Sequence, residues 1–495
     1  MEKYDVIVIG GGLLGCFALR ALTRYDIKTA LFERREDICT GISRANTAIV
    51  YSGCDTKPNT VKTEMCVRSA QDFDRLCARL GVKYSRCGSL MVSFGPKGDE
   101  SLRRKYEQGL TNGVRDIRLL SGREALKLEP NLAPNVSLAL YVPDTGTVNP
   151  WELCLAAVEN AISNGAELYL NAEVSGIKQT PGGYIVKAGD TGVFTRGIIN
   201  CAGLNADKVY EMLAGPGVRI VPSAGDYLVL DTKAADHISH VIFHESEQGK
   251  GLTLVPTIDG NILVGPTERE DEGGGENATS IEGIELLYSL AAEVMPSLPM
   301  EHVIRSFGAA RPNPYYVARE KNGDYSVSEK SISDFCVLED EAAPGFYSFI
   351  GIKTPGLTCA HELGLRAGDM AAKSLGLAEN NGFDPFRPPP VSLGDLPFEK
   401  RAALIRENPA YGRIVCRCRE ISEGEIIDAI RKYPGAVTVD GVKRRVRATT
   451  GRCQGSYCTE RIIELLAREK GRLPEDILKD GPGSFIYYGG EDDGI

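Results

Sequence analysis

The chain has 495 residues, of which 42% are hydrophobic and 25% charged, and its formal net charge is −10. This length accommodates roughly two to four domains of an ordinary globular protein, and the negative charge argues against nucleic acid as the main partner. No apolar run reaches the roughly 20 residues of a membrane span. The N-terminus shows no signal-peptide pattern, so we expect a cytoplasmic protein without a transmembrane segment, for which peripheral association with the inner face of a membrane stays open.

The first 33 residues have the strand–turn–helix–strand pattern of a dinucleotide-binding fold. The apolar run Asp5–Ile9 predicts a buried strand, and the helix-spaced apolar residues from Leu13 to Tyr25 predict a helix. A second strand over Lys28–Phe32 ends at Glu33.

Three glycines lie in the turn between the first strand and the helix. Gly10 permits the tight turn, Gly12 lets the backbone approach a pyrophosphate, and Gly15 lets the helix pack on the strand. The N-terminus of the helix offers N–H groups to the phosphates, and Glu33 is placed to accept hydrogen bonds from a ribose. The fingerprint predicts a dinucleotide cofactor but does not choose FAD over NAD.

The middle of the chain interrupts this fold twice. A polar loop after Glu33 is suited to lie along an extended cofactor, and a helix is predicted over 59–80. Residues 83–141 mix strand and helix patterns and are interpreted as an insertion over the active site. A helix capped by Asn149, followed by strands that end at 200, returns to the first fold. From Val218 the pattern becomes alternating strands, with a hairpin on the Asp259-Gly260 turn.

Four motifs between residues 10 and 358 resemble the D-amino-acid-oxidase-type FAD superfamily. They are the glycine turn, Asn200–Gly203, Gly260–Thr267 and Gly351–Thr358. Within that superfamily they are similar to the branch of anaerobic glycerol-3-phosphate dehydrogenase large subunits and L-2-hydroxyglutarate oxidases. The resemblance, rather than the fingerprint, implies FAD as the cofactor.

Three C-terminal motifs resemble the domain similar to bacterioferritin-associated ferredoxin that glycerol-3-phosphate dehydrogenases carry. They are Tyr411–Cys418, Gly441–Arg445 and Gly451–Cys458. The implied fold class is α/β: a Rossmann-like FAD-binding domain with an inserted antiparallel substrate domain, and a small C-terminal iron–sulfur module. The expected segments are FAD-binding domain at 1–82, 142–217 and 321–379, cap insertion at 83–141, substrate domain at 218–320, proline-rich linker at 380–410, [2Fe–2S] domain at 411–475 and tail at 476–495.

The residues expected to bind FAD share positions in the fingerprint or in these motifs. They are Gly10, Gly12, Leu14, Gly15, Glu33, Arg34, Ser43, Asn46, Thr47, Val174, Ala202, Gly203, Gly351, Gly356, Leu357 and Thr358. Two positions expected near the flavin depart from the relatives: Tyr51 stands where a histidine is frequent, and Lys353 stands where an acid is frequent. Both departures leave the substrate open.

Four residues are candidates for the catalytic site. Arg311, in an Arg-Pro setting after a predicted strand, is placed to hold a substrate carboxylate or phosphate, and a surface ion pair is its alternative. Oxidation of an alcohol also needs a base for the hydroxyl proton. His361, one turn into the helix expected to point at the flavin, is the first candidate, and Tyr51 and Lys353 are the alternatives.

Four of the 14 cysteines are clustered, whereas the other ten are scattered as expected for buried thiols of a cytoplasmic protein. Cys416 and Cys418 form C-x-C, and after 34 intervening residues Cys453 and Cys458 form C-x4-C. Four thiolates suit zinc or a [2Fe–2S] cluster, and the cluster is favoured because it passes a flavin's electrons on singly. The basic run 443–445, together with Arg447 and Arg452, is interpreted as offsetting the cluster's negative charge, and a solvated charged face is the alternative.

The main hypothesis is an FAD-dependent dehydrogenase that oxidises a small anionic alcohol, first glycerol 3-phosphate and next a 2-hydroxy acid. Electrons would leave through the cluster to a partner, expected to be a second flavoprotein or another electron-acceptor subunit. An amino- or imino-acid dehydrogenase on the same fold is the second hypothesis. A zinc-bearing interaction subunit with a structural flavin is the third.

Overall fold

The computed structural model describes residues 1–189, 191–246, 251–270, 278–319 and 325–487. The chain divides into two compact units, Met1–Arg34 with Ile38–Arg387, and Arg35–Asp37 with Pro388 onward. The helices are α1 Leu13–Leu22, α2 Val61–Leu80, α3 Pro96–Thr111, α4 Gly122–Leu128, α5 Pro150–Ser163, α6 Ala206–Tyr210, α7 Ile281–Val294, α8 Gly356–Leu375, α9 Phe398–Glu407, α10 Glu423–Arg431, α11 Val439–Val446 and α12 Thr459–Lys470. The strands are β1 Lys3–Ile9, β2 Thr29–Phe32, β3 Ile49–Val50, β4 Tyr84–Ser85, β5 Ser89–Ser93, β6 Arg118–Ser121, β7 Leu138–Val142, β8 Gly146–Val148, β9 Glu167–Tyr169, β10 Val174–Thr180, β11 Gly183–Ala188, β12 Thr191–Asn200, β13 Val218–Leu230, β14 Val241–His244, β15 Thr253–Pro256, β16 Ile262–Val264, β17 Arg269–Glu270, β18 Val303–Arg319, β19 Tyr325–Val327, β20 Cys336–Glu339, β21 Phe346–Ile350, β22 Ile414–Cys416 and β23 Ile421–Ser422.

A largely parallel sheet forms the centre of the first unit. β9, β2, β1, β12 and β21 are neighbours and run parallel, and β10 and β11 extend the sheet as an antiparallel pair beside β12. The carboxyl ends of β1, β2, β12 and β21 therefore lie at one edge, where ligands of α/β sheets bind. The apolar run of β1 predicted a buried strand, and the structure confirms it: Val6, Ile7 and Val8 are fully buried.

Small residues let two helices of this unit pack closely. Gly364 of α8 lies against Phe17 of α1, and a Cβ at Gly364 would stand 2.7 Å from the Phe17 carbonyl carbon.

Helix α5 begins as its sequence predicts, since the Asn149 side chain accepts hydrogen bonds from the N–H groups of Trp151 and Glu152.

A second sheet of the same unit is mostly antiparallel, in the order β19-β18-β13-β16-β15-β14-β5-β7-β6. The predicted hairpin is present as β15 and β16. The longest pair of strands in this sheet is β13 and β18, in which Tyr227 lies opposite Phe307 and Ser223 lies opposite Arg311. β5 pairs in parallel with β14, so the expected cap insertion and the expected substrate domain share one sheet.

The second unit is a small helical module with one short hairpin, β22–β23. Its core consists of apolar residues from α10, α11 and α12, among them Ile430, Val442 and Ile462, each with no exposed area. A capping box starts α10: the Ser422 N–H donates to the Glu425 carboxylate at 2.8 Å, and the Glu425 N–H donates back to the Ser422 hydroxyl.

The segment predicted as a linker at 380–410 is more ordered than its proline content suggested. Its start belongs to the first unit, where Arg387 Nε lies 2.6 Å from a Glu159 carboxylate oxygen. Its later part contains α9. Of the predicted tail at 476–495, residues 488–495 lie outside the described part, as do residues 320–324 at the predicted boundary near 320. Across the described residues, every helix is too short or too polar to traverse a lipid bilayer.

Candidate functional site

The glycine turn after β1 requires two of its three fingerprint glycines on steric grounds. Gly10 has a φ of +104°, and a Cβ there would lie 2.6 Å from the carbonyl oxygen of Cys201. A Cβ at Gly15 would lie 1.9 Å from the carbonyl oxygen of Gly10. Since no side chain tolerates either contact, both glycines are needed to bring α1 against the end of β1.

The N-terminus of α1 presents hydrogen-bond donors at this turn. The Leu13 N–H donates to the Ser43 hydroxyl at 3.0 Å, whereas the N–H groups of Leu14 and Gly15 have no acceptor among the described residues. Gly12 precedes them, and a Cβ at Gly12 would come within 3.0 Å of the Ser43 hydroxyl oxygen. This combination of donors, helix dipole and missing side chain fits the pyrophosphate of a dinucleotide.

Glu33 lies directly after β2, beside the turn. Its carboxylate accepts a hydrogen bond from the Gly11 N–H at 2.6 Å, and the residue is 9% exposed. Arg34, next in the chain, is exposed. A carboxylate oxygen is the kind of acceptor to which a ribose diol donates in dinucleotide-binding folds.

The loop predicted to follow the cofactor is held by its own side chains. Asn46 donates to the Ser43 carbonyl oxygen at 2.9 Å and accepts from the Ala48 N–H at 2.8 Å. The Thr47 hydroxyl lies 3.3 Å from the Tyr51 hydroxyl. Asn46 therefore fixes the loop, and Thr47 connects it to a candidate catalytic residue.

The other expected FAD residues lie at strand ends and at the start of α8. Val174 begins β10. Ala202 and Gly203 come shortly after the end of β12. Cys201, which precedes them, donates its N–H to the Ile9 carbonyl oxygen at 2.9 Å. Gly351 follows β21 with a φ of +71°, and a Cβ there would lie 2.4 Å from Pro314.

Helix α8 opens with the last three residues of the expected FAD set. Gly356 and Leu357 are its first two residues, and the next, Thr358, accepts a hydrogen bond from the Tyr51 N–H at 2.9 Å. The segments expected to contact FAD thus meet along the carboxyl edge of the parallel sheet, and their individual contacts stay predictions.

We expect Gly12→Val to yield protein that purifies without bound flavin, because the branched side chain would fill the path of the pyrophosphate. The flavin absorbance per protein measures the loss. Gly215→Val is the matched control, since the space around the Gly215 Cβ position is open. Full flavin occupancy in Gly12→Val would place the phosphates elsewhere.

Arg311 projects from β18 next to an aromatic pair. Its guanidinium donates to a Glu268 carboxylate oxygen at 3.0 Å, and its side chain is 23% exposed. Tyr227 of β13 stacks on Phe307 with ring centroids 4.6 Å apart. Burial raises the pKa of Tyr227, and a hydrogen bond to Arg311 opposes this rise.

Lys353 joins this group from the loop after β21. Its ammonium donates to the Asn313 side-chain oxygen at 3.1 Å, and Asn313 donates to the Ser223 hydroxyl. Burial lowers the pKa of Lys353, and the positive charges of Lys62 and Arg311 lower it further.

Tyr51 completes the group from the side of the cofactor loop. Its ring lies 5.8 Å from that of Phe243, and burial raises its pKa to about 12, with Arg311 opposing the rise. The structure therefore brings three of the four predicted catalytic residues together.

The structure does not bring His361 into this group. Its ring packs against Phe17 of α1 with centroids 5.4 Å apart. Burial lowers its pKa to about 3, and the positive charges of Arg20, Arg24 and Arg79 contribute. His361, a residue of α8, is thus neutral, and its side chain packs against α1.

His361→Gln is expected to keep kcat within about threefold of the wild type, because the imidazole packs between helices. Its melting temperature should fall by a few degrees, as is usual for a buried substitution that costs about 1 kcal/mol. Steady-state kinetics and thermal unfolding measure the two effects. A loss of kcat by more than about 100-fold at unchanged stability would restore His361 as the base.

Sequence analysis missed two members of the group, Tyr227 and Lys62. Lys62 lies at the start of α2, where its ammonium donates to the Ser333 carbonyl oxygen at 2.7 Å, and burial lowers its pKa. Each residue sits in a correctly predicted kind of element. Their proximity to Arg311 and Lys353 depends on long-range pairing, for which the sequence has no local signal.

The four clustered cysteines form two pairs in the second unit. The Cys418 and Cys453 sulfurs are 3.6 Å apart, and Cys416 and Cys458 are hydrogen-bonded to each other. A metal with four sulfur ligands at about 2.3 Å has sulfurs about 3.8 Å apart, so each pair has the spacing of two ligands on one ion. Cys416 and Cys458 are each 1% exposed, whereas Cys418 is exposed.

The thiolate is favoured at one cysteine of each pair, Cys416 and Cys453, whereas the pKa of its partner, Cys458 or Cys418, is raised. The bond from Cys458, with backbone bonds from Thr449 and Arg419, lowers the pKa of Cys416 to about 6. Burial raises the pKa of Cys453, but backbone bonds from Gly455 and Tyr457 lower it on balance.

The arrangement of two pairs suits a binuclear centre. No three histidine, cysteine, aspartate or glutamate side chains of the described chain are grouped to hold a single ion. A [2Fe–2S] cluster takes four thiolates over two irons, and two separate pairs supply them two by two. These residues therefore fit a [2Fe–2S] cluster.

The basic run 443–445 does not offset the cluster charge as predicted, because carboxylates of the second unit already neutralise it. Lys443 pairs with Asp440 at 2.6 Å, and Arg444 and Arg445 pair with Asp37 at 2.9 and 2.8 Å. These ion pairs are buried and connect parts of the module.

Comparison with known proteins agrees with both sites. Residues 5–370 match the family of FAD dependent oxidoreductases, and residues 414–468 match the BFD-like [2Fe-2S] binding domain. A glycerol 3-phosphate dehydrogenase from Caloramator mitchellensis is 36% identical over 490 residues, which are 98% of each chain. The mitochondrial L-2-hydroxyglutarate dehydrogenase of Homo sapiens is 29% identical over 284 residues, 54% of this chain and 61% of the relative.

Among solved structures, the dithionite-reduced L-alpha-glycerophosphate oxidase from Mycoplasma pneumoniae with FAD bound superimposes with a TM-score of 0.71. It is 25% identical and covers 79% of this chain and 100% of the oxidase. The predicted fold class, FAD and the [2Fe–2S] cluster are thereby confirmed. The chain belongs to the FAD-dependent oxidoreductases of the D-amino-acid-oxidase type and carries a BFD-like [2Fe–2S] domain at its C-terminal end.

Proposed function

We propose that the protein is a dehydrogenase that oxidises the secondary alcohol of glycerol 3-phosphate to a ketone. The observation that carries this proposal is the group of cations around Arg311. Arg311, Lys353 and Lys62 are close enough for their charges to interact, and all three are partly or largely buried. A concentration of positive charge among half-buried side chains favours a small dianion such as a phosphate monoester.

The residues of this group have different proposed roles. Arg311 offers its planar fork to two oxygens of the anion, and the Tyr227 hydroxyl, hydrogen-bonded to Arg311, helps to orient that fork. Tyr51 stays protonated at neutral pH, since its pKa is about 12, so its hydroxyl serves as a hydrogen-bonding group and not as the base. Bound FAD supplies the acceptor for the hydride that leaves the alcohol carbon.

Lys353 is the proposed acceptor of the hydroxyl proton. Its pKa is lowered from the ordinary value of 10.5, which is the direction that a base active near neutral pH requires. The 36% identity with a glycerol 3-phosphate dehydrogenase over nearly the whole chain supports the choice of substrate.

Anaerobic bleaching of the bound flavin tests the proposed substrate. Glycerol 3-phosphate should bleach the flavin within seconds, whereas L-2-hydroxyglutarate and amino acids at the same concentration should not. Bleaching by L-2-hydroxyglutarate alone would assign the protein to the hydroxy-acid branch. Bleaching by an amino acid alone would identify an amine dehydrogenase.

We also propose that electrons leave through the cluster to a separate acceptor, a second flavoprotein or another electron-acceptor subunit. The cluster supplies one-electron transfer after a two-electron oxidation. Its presence can be measured in protein prepared without oxygen, in which we expect about two irons and two sulfides per chain. One zinc without sulfide would contradict this route.

A cytoplasmic location is part of the same proposal. The ten cysteines outside the cluster site are free thiols. Thiols persist in reducing compartments, whereas exported proteins tend to form disulfides. Fractionation of cells into cytosol and membranes tests the location, and recovery of the protein only with membranes would contradict it.

A further inference from the structure

The two cysteine pairs differ in their access to solvent. Cys416 and Cys458 are each 1% exposed and lie against the helical core of the module. Cys418 is exposed, and Cys453 is half-buried. Whatever the two pairs bind therefore has an inner side, held by Cys416 and Cys458, and an outer side, held by Cys418 and Cys453.

Two arginines flank the outer pair without an ion pair of their own. Arg417 precedes Cys418, Arg452 precedes Cys453, and both side chains are exposed. No carboxylate of the described chain forms a salt bridge with either guanidinium. Tyr457, between Cys453 and Cys458, is 79% exposed.

Several other basic side chains of this module are neutralised by carboxylates. Arg413 and Arg461 share the Glu423 carboxylate at 2.8 and 3.1 Å, and Arg431 lies 2.6 Å from Glu469. Two exposed acids, Glu420 and Glu460, are also close in sequence to the cluster cysteines. The two free arginines are nevertheless the residues that directly precede the outer cysteines.

This local charge contrasts with the chain as a whole, whose formal net charge is −10. An acidic partner would be repelled by most of the surface and attracted at a positive patch. An exposed aromatic residue and two exposed arginines, all next to cluster cysteines in the sequence, have the composition of the residues that contribute most at protein interfaces. Two arginines are fewer than the four to eight basic residues typical of an anionic-lipid site.

We propose that Arg417, Arg452 and Tyr457 form the docking surface for an acidic protein that carries one electron at a time, placed over the Cys418–Cys453 side. This inference rests on the proposed electron route, and it specifies both the side from which electrons leave and the charge of the acceptor. We name Arg417, Arg452 and Tyr457 the outer rim.

Binding of the full chain, loaded with flavin and cluster, to an acidic [2Fe–2S] ferredoxin tests the outer rim. The dissociation constant is measured by isothermal titration at low ionic strength. It should be about tenfold or more higher for the double variant Arg417→Glu/Arg452→Glu than for the wild type. Tyr457→Ala should weaken binding as well, and added salt should weaken the wild type more than the double variant.

Lys400→Glu/Arg472→Glu is the matched control, with the same change in charge. Both residues are exposed and free of salt bridges within the described chain. Arg472 follows the far end of α12, about 18 Å from the helix start that adjoins Cys458. This variant should bind the ferredoxin as the wild type does.

Equal ferredoxin binding by the outer-rim and control variants would overturn the proposal. Tighter binding of the basic protein cytochrome c than of ferredoxin would overturn it, as would rim-dependent binding of phosphatidylglycerol vesicles without ferredoxin binding. The visible spectrum and the iron content of each variant report the cluster independently, and bleaching by glycerol 3-phosphate reports the dehydrogenase. A failure of docking is thus distinguishable from a failure of the proposed function.

Discussion

Arg311→Met is expected to raise the KM for glycerol 3-phosphate by about 30-fold to 4,000-fold. Removal of one partner from a buried, hydrogen-bonded charge pair costs about 2–5 kcal/mol, and each 1.4 kcal/mol corresponds to about a tenfold change in affinity. Arg311→Lys should have an intermediate effect, because lysine keeps the charge and loses the planar fork. Steady-state kinetics with an artificial electron acceptor would measure both variants.

Arg305→Met serves as the control for this substitution. Arg305 is an exposed residue of the same strand, six positions before Arg311 and thus about 20 Å away along β18. Its KM should match that of the wild type. If Arg311→Met retains the wild-type KM while its flavin is still bleached, the anion is bound elsewhere and Arg311 only pairs with Glu268.

The features predicted correctly from the sequence are those whose signal is local. The turn after β1 is required by contacts between residues close in sequence, such as Gly10 and Gly15. The start of α5 follows from the Asn149 side chain and the two N–H groups that it caps. Likewise, the spacing of the four cysteines predicted that they come together in one small module, although the structure pairs them across the two motifs, Cys418 with Cys453 and Cys416 with Cys458.

The features that were missed depend on contacts between distant segments. Tyr227 reaches Arg311 because β13 and β18 pair in one register, which places Tyr227 opposite Phe307. His361 is in the predicted helix, but the close approach of α8 to α1 at Gly364 turns its ring toward Phe17. Helical periodicity identifies an apolar face without identifying the neighbour that covers it.

Net charge also proved a poor guide to single basic residues. The run 443–445 has the charge expected beside an anionic cluster, yet Asp37 and Asp440 neutralise it. Asp37 is separated from Arg444 by about 400 positions in the sequence, so this pairing has no local signature. Arg452, predicted with the same group, is the member that stays exposed.

Lys353→Met is expected to lower kcat by about 100-fold to 10,000-fold, the usual contribution of a positioned general base. The KM should change far less than in Arg311→Met, since the substrate anion retains Arg311. Stopped-flow bleaching of the flavin under anaerobic conditions isolates this step from later electron transfer. A variant with unchanged bleaching rate would require a different proton acceptor.

The pH dependence follows from the direction of the pKa shift at Lys353. The base is active when neutral, and burial together with Lys62 and Arg311 lowers the pKa below 10.5. In the wild type the bleaching rate should therefore rise with pH through that lowered pKa and then level off. The rise should be absent from Lys353→Met, which has no group to deprotonate.

Lys353→Arg separates the role of base from that of an anion-binding cation. Arginine keeps the positive charge beside Asn313 but does not deprotonate in proteins. If Lys353 accepts the hydroxyl proton, the arginine variant should be as slow as the methionine variant at every pH. If instead Lys353 only holds the substrate anion, Lys353→Arg should recover most of the bleaching rate and show the KM of the wild type. The comparison of the two variants thus decides which of these two roles Lys353 has in the oxidation.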